Sequence, residues 1–176
     1  MRRIGSRTVM TVLAFTAIAA VAVLTAGGMG PRAAAGGDSP RPTEGWTLHI
    51  TAKMHFPGKP EMLAHHFCKQ VAGGLIECQL YDSAAPDAHL VGVETIVNSA
   101  TYAKFSPAEK ALWHYHRVEI PLVSAAVLDM SPAEAEKVVN SIVDTYGKIY
   151  LLWDPSVQTL PVGRPSITVL PAAKAP

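Results

Sequence analysis

Val9 to Ala26 runs for eighteen residues without a charge, proline or glycine, after a start containing Arg2, Arg3 and Arg7 and before Gly27-Gly28-Met29-Gly30-Pro31. A basic end, an apolar run and a helix breaker form the pattern of an export segment, and no compact domain would keep such a stretch on its surface. Ala33-Ala34-Ala35 offers small residues for a cut before Gly36, so residues 1–35 read as a signal peptide or, uncut, as an N-terminal membrane anchor. Gly36 to Gly45, with Pro40 and Pro42, reads as a flexible tether. The expected location is therefore extracytoplasmic: periplasm or cell envelope, secreted or tethered. No cysteine stands directly after the apolar run, where a lipid-anchored N-terminus would need one; the two in the chain are Cys68 and Cys78.

With the leader set aside, residues 46–172 are left to form one domain, and one core is what that length supports. Arg2, Arg3, Arg7 and Arg32 account for four of the 15 basic residues, so residues 36–176 hold eleven basic against 14 acidic and a net charge of −3. A body of that charge has no electrostatic reason to bind nucleic acid. No repeat of 20–50 residues runs through it, which excludes solenoids and propellers.

The pattern predicts strands at Trp46–Phe56, Phe67–Val71, Leu75–Tyr81, His89–Val97, Lys148–Trp153 and Ser166–Leu170, several joined by Gly-, Pro- or Asp-rich turns. Glu61–His66 reads as one helical turn. Ser106-Pro107-Ala108-Glu109 and Ser131-Pro132-Ala133-Glu134 each place serine at the N-cap, proline at N1 and glutamate at N3, so two helices start there. The second is expected to end at Gly147. The sum is an α+β fold: one domain with a mainly antiparallel sheet and two or three helices packed on it.

Histidine supplies the chemistry. His65-His66 and His114-Tyr115-His116 are two dense groups, with Cys68 just beyond the first. On an extended Trp113–Ile120, His114 and His116 face one way, as two ligands of a single ion would. His65 and His66 are adjacent, so only one of them joins such a site. Glu94 is the expected carboxylate, because a strand carboxylate among Leu90, Gly92 and Ile96 needs a partner once buried. Glu77 and His55 stand in reserve. This donor set suits zinc or another divalent metal. An H-x-H…E arrangement ending on Glu119 is not expected, since on an extended strand residue 119 faces away from both histidines. The other readings of the histidines are ordinary hydrogen bonding in the core and metal-free catalysis. Zincin, zinc-ribbon and α/β-hydrolase signatures are absent, and the sequence leans away from an enzyme.

Cys68 and Cys78 flank Gly73-Gly74. A hairpin pairing residues whose numbers sum to 146 sets them directly opposite, where an exported protein can form a disulfide. The rival role is a free Cys68 thiol beside the histidines, as nucleophile or metal ligand.

Ala64-His65-His66-Phe67-Cys68, Glu77-Cys78-Gln79-Leu80-Tyr81-Asp82-Ser83, Leu90-Val91-Gly92-Val93-Glu94, Leu112-Trp113-His114-Tyr115-His116, Tyr146-Gly147-Lys148 and Leu160-Pro161-Val162-Gly163 follow one another in that order. Together they resemble the oil-body-associated protein family of plants and its bacterial and fungal relatives, over about residues 47–170. The resemblance implies a protein that binds at a lipid or envelope surface, with a membrane or lipid as partner, and the leader, a departure from the plant pattern, makes this chain an exported bacterial member. The resemblance implies no catalytic activity. A metal-binding domain and a small structural envelope domain are the alternatives.

Overall fold

The computed structural model describes residues 41–173; the expected signal or anchor segment, 1–35, and the first half of the tether lie outside the described residues. Eight strands form one antiparallel sheet: β1 (Leu48–Ala52), β2 (Ala64–Val71), β3 (Leu75–Tyr81), β4 (Leu90–Asn98), β5 (His114–Tyr115), β6 (Ala126–Val127), β7 (Thr145–Leu151) and β8 (Ser166–Thr168). Their spatial order is β5-β7-β4-β3-β2-β1-β6, and β8 pairs with the far end of β7. The helices are α1 (Ser99–Tyr102), α2 (Pro107–Lys110), α3 (His116–Leu122) and α4 (Pro132–Ile142). The fold is α+β and mainly antiparallel, as the sequence pattern predicts.

The tightest constraint is the β2–β3 hairpin. Gly73 and Gly74 take φ of 78° and 73°, a left-handed backbone that glycine adopts without the clash a Cβ brings. That turn fixes the register Cys68↔Cys78 and Lys69↔Glu77, the pairing whose numbers sum to 146. From it, alternation deals every side chain to one face of the sheet. Leu48, Cys68, Cys78, Glu94 and Ile149 lie in one cross-strand row, and Ile50, His66, Leu80, Gly92 and Leu151 in the next. These rows form the inner face, whose apolar core holds Phe56, Ala64, Leu80, Val91, Ile96, Ile149, Leu151 and Trp153. Helix α4 begins at the expected capping box on Ser131 and Glu134 and lays Val139 and Ile142 along the same cavity as Ile50 and Ile96. A smaller apolar cluster of Val97, Tyr102 and Trp113 packs with Phe105 and Tyr146 around α1 and α2.

Several elements differ from the sequence reading. β1 stops at Ala52, because Met54 takes φ of 66° and the chain turns before Phe56. The proposed helical turn at Glu61–His66 gives way to β2, which begins at Ala64. Helix α4 ends at Ile142, so Gly147 is no helix stop but a mid-strand residue of β7 paired with Ile96 and His114. The strand expected over Trp113–Ile120 is only two residues long, and α3 starts at His116. Pro121 sits inside α3 without breaking it, because the helix ends one residue later.

Candidate metal centre on the inner sheet face

β4 carries Glu94 into the interior, where the row of Cys78 and Ile149 leaves it no solvent. A buried carboxylate costs several kcal/mol unless cations or donors surround it. β5 answers on one side. His114 pairs with Gly147 on β7, and its Nε2 lies 3.2 Å from Glu94 Oε1. The chain then turns into α3, whose first residue, His116, brings Nε2 to 3.4 Å from the same oxygen. One turn later Glu119 enters from α3, with Oε2 2.8 Å from His114 Nε2. From β2, His66 brings Nε2 to 3.7 Å from Glu94 Oε2. His55, in the loop after β1, packs edge-on to His66 with ring centroids 4.9 Å apart. All six side chains are buried.

Gly147 makes this convergence possible. A Cβ there would lie 2.2 Å from Glu94 Oε1 and 2.3 Å from His114 Nε2, so any larger residue would occupy the point where the two ligands meet.

The proton count shows an unmet demand for positive charge. Thr145 Oγ1 donates to the Ile142 carbonyl at 2.6 Å, so toward His116 Nδ1, 2.7 Å away, it is left to accept. His116 therefore carries its hydrogen on Nδ1. In the neutral ring, Nε2 is then a bare lone pair facing a carboxylate oxygen. Two acceptors at that range repel unless a proton or a metal cation lies between them. His55 is set the same way, with Nδ1 donating to the Lys53 carbonyl at 2.8 Å. Backbone and hydroxyl partners of this kind orient metal-ligating histidines. Neither nitrogen of His114 makes a hydrogen bond despite the two nearby carboxylates, and His66 Nδ1 has no partner.

Electrostatics agrees with the geometry. Burial alone would raise the carboxyl of Glu94, but His114 and His116 beside it hold it well below the usual carboxylate range. Burial pulls His114 down and the Glu119 and Glu94 carboxylates pull it up further, to about 10. His66 is driven down to about 4 by burial and then by His55, so it is neutral at pH 7. Without a metal, the His114 imidazolium lies between two carboxylates.

One ligand atom each from Glu94, His114 and His116 lies within 4.8 Å of the others. Two ligands about 2.1 Å from one ion stand roughly 3.0 Å apart at a right angle and about 3.4 Å apart at the tetrahedral angle. The Glu94 contacts of 3.2 and 3.4 Å fall in that range. Beside the set lies a cavity of about 50 Å³, lined at its polar end by His55, His66, Glu94, His116 and Glu119 and elsewhere by aliphatic side chains. It has room for an ion with a few waters, not for a lipid tail.

Of the residues singled out by sequence, the structure brings together His66, His114, His116, Glu94 and the reserve His55. His65 goes to the outer face, where its Nδ1 meets His49 Nε2 at 3.0 Å while His49 Nδ1 meets Asp129 at 2.8 Å. Glu77 also lies off the inner face, between Lys69 and Thr95. Cys68 and Cys78 are joined as a disulfide and line the same cavity as Glu94, so Cys68 offers no thiolate in this state. Glu119 is the residue the sequence reading discards. That reading extends the strand past His116, whereas the chain is helical there and the i, i+3 spacing returns Glu119 to the face of His116.

The model of a family described as "Protein of unknown function (DUF1264)" matches residues 42–175. Among curated proteins, the chain is 30% identical over 137 residues to oil body-associated protein 2B of Arabidopsis thaliana, covering 76% of this chain and 55% of that protein. It is 33% identical over 113 residues to oil body-associated protein 2B of Zea mays, covering 64% and 45% of the two chains. It is 31% identical over 105 residues to oil body-associated protein 1B of Arabidopsis thaliana, covering 59% and 44%. The chain thus spans about half the length of these relatives. No solved structure matches it.

Proposed function

Because the chain belongs to the DUF1264 family, that of the oil body-associated proteins and of unknown molecular function, we propose from the site itself that the domain binds a divalent metal ion. Glu94, His114 and His116 hold the ion, and Glu119 is a fourth donor or its close partner. The observation that carries this is the His116 lone pair held against Glu94 by Thr145 inside a buried cluster. Two imidazoles with carboxylate oxygens suit zinc, and equally iron(II) or manganese(II). The test is elemental analysis by plasma mass spectrometry on protein purified without a His-tag. Wild type is expected to carry near-stoichiometric metal, and a folded His114→Ala/His116→Ala variant none. A wild type without metal even after reconstitution would remove the proposal and leave the cluster as a buried ion-pair network.

A second reading, association with a lipid or envelope surface, is favoured by the segment between β7 and β8. There Val157, Leu160 and Val162 are 65%, 65% and 56% exposed, and relatives are named for their association with oil bodies. Exposed apolar side chains grouped in this way suit an apolar surface better than water. Among the described residues no helix is long and apolar enough to cross a membrane. Flotation with phosphatidylcholine-coated triolein droplets tests it: wild type is expected to float and Leu160→Asp/Val162→Asp to stay in solution. The apolar run at 9–26 supports an extracytoplasmic location, checked by the mass of the mature protein, which is expected to begin near Gly36.

A further inference from the structure

Glu94 turns its two oxygens to two different sets of histidines. Oε1 faces His114 and His116, whereas Oε2 faces His66 at 3.7 Å, too far for a hydrogen bond. His66 is buried, and its Nε2 makes no hydrogen bond to Glu94. A buried imidazole nitrogen and a carboxylate oxygen that face each other without bonding leave room between them for a shared partner. His55, packed edge-on against His66, donates Nδ1–H to the Lys53 carbonyl, so in the neutral ring its Nε2 is the lone pair. Both rings line the cavity of about 50 Å³, together with Glu94, His116 and Glu119.

We infer that this cavity is the position of a second divalent cation, held by His66, His55 and Glu94 Oε2, so that Glu94 bridges a dinuclear centre. The inference rests on the metal site proposed above and adds a second ion to it. The spacing of 3.7 Å between His66 Nε2 and Glu94 Oε2 equals that of two ligands about 2.1 Å from one ion and about 120° apart. Glu119, which reaches His114 and also lines the cavity, is placed to serve as a second bridge. Charge then specifies what else enters. Two divalent cations against two carboxylates leave the centre positive in an otherwise apolar chamber. The remaining space therefore takes a hydroxide or another small anion, bound between the ions.

The probe is manganese(II). Chelator-stripped wild type is dialysed to equilibrium against manganese(II), the bound metal is counted, and electron paramagnetic resonance reads the coupling between ions. Two ions per chain with a spin-coupled signal are expected in wild type. His55→Ala/His66→Ala is expected to bind one ion with the spectrum of an isolated manganese(II). The wild-type count and coupling are decisive by themselves, should that variant fail to fold. One uncoupled ion in wild type would overturn the second position and leave the Glu94–His114–His116 site standing. No bound ion would overturn both.

Discussion

Replacing Gly147 by alanine adds one methyl group at the point where the metal ligands converge. The new Cβ would lie 2.2 Å from Glu94 Oε1, 2.3 Å from His114 Nε2 and 2.6 Å from His114 Cε1. Ordinary contact needs more than 3 Å, so both side chains must withdraw by about 1 Å, whereas metal–ligand bonds keep their lengths within about 0.2 Å. Two ligands are thus displaced by one substitution. Changes outside the ligand set alone reduce metal affinity roughly 10–100-fold, and displacing the ligands should cost on the order of 100-fold or more. The backbone tolerates the change, because Gly147 is an extended residue of β7 with no left-handed φ. The metal-free domain should lose only about 1–3 kcal/mol from overpacking. The control is Gly92→Ala, whose Cβ would meet the Tyr150 carbonyl oxygen at 2.8 Å and none of the ligands. It should destabilise the sheet comparably while leaving affinity near wild type. Competition for zinc against a chelating fluorophore reads the affinity, and urea titration in chelator reads the stability. Gly147→Ala protein that binds zinc as tightly as wild type would refute the proposed ligand geometry.

Further outcomes follow from the same arrangement. In metal-stripped protein, His66 is held near 4 by burial and His55, below the unfolded value of about 6.5, so the unfolded chain binds the extra proton and stability rises with pH between those values. His114 is raised to about 10 against burial by Glu119 and Glu94, so the folded state keeps the proton and stability falls as pH climbs from about 6.5 towards 10. Urea midpoints across that range should peak near pH 6.5, with the acid limb flattened in His66→Asn; a profile rising steadily through pH 9 would contradict the His114 assignment. The Cys68–Cys78 bridge spans a sequence separation of 10, so Cys68→Ala/Cys78→Ala should lower unfolding free energy by about 3 kcal/mol, read by denaturant titration. Since both sulfurs are buried, thiol titration with a reductant present should detect them far faster in urea than in the native state; equal rates would contradict their enclosure. His65→Ala, next to His66 in sequence but on the other face, should leave metal content unchanged by elemental analysis.

Much of this was legible because strand alternation is a rigid rule. The Gly73-Gly74 turn, the opposition of Cys68 and Cys78 and the rule that only one of His65 and His66 faces the site all depend on period-two geometry that local sequence carries; which of the two it is comes from the structure. The Ser131 capping box was legible for the same reason: its hydrogen bonds close within four residues. What stayed hidden depends on contacts distant in sequence. Gly147 looked like a helix stop because helix α4 and β7 meet with no strong break. Its real constraint, the approach of Glu94 and His114, comes from β4 and β5. Glu119 escapes a reading that extends the strand past Tyr115. The chain switches from period two to a helix at His116, and Pro121 disguises so short a helix. Thr145, which orients His116, lies 29 residues further along the chain and carries no signal of its own.

The most direct measurement is anomalous X-ray diffraction from crystals of zinc-loaded protein, with data on both sides of the zinc absorption edge. The account predicts an anomalous peak about 2.0–2.2 Å from Nε2 of His114, Nε2 of His116 and Oε1 of Glu94. A zinc-loaded crystal with no peak at that point, and with His114 paired directly to Glu119, would contradict it.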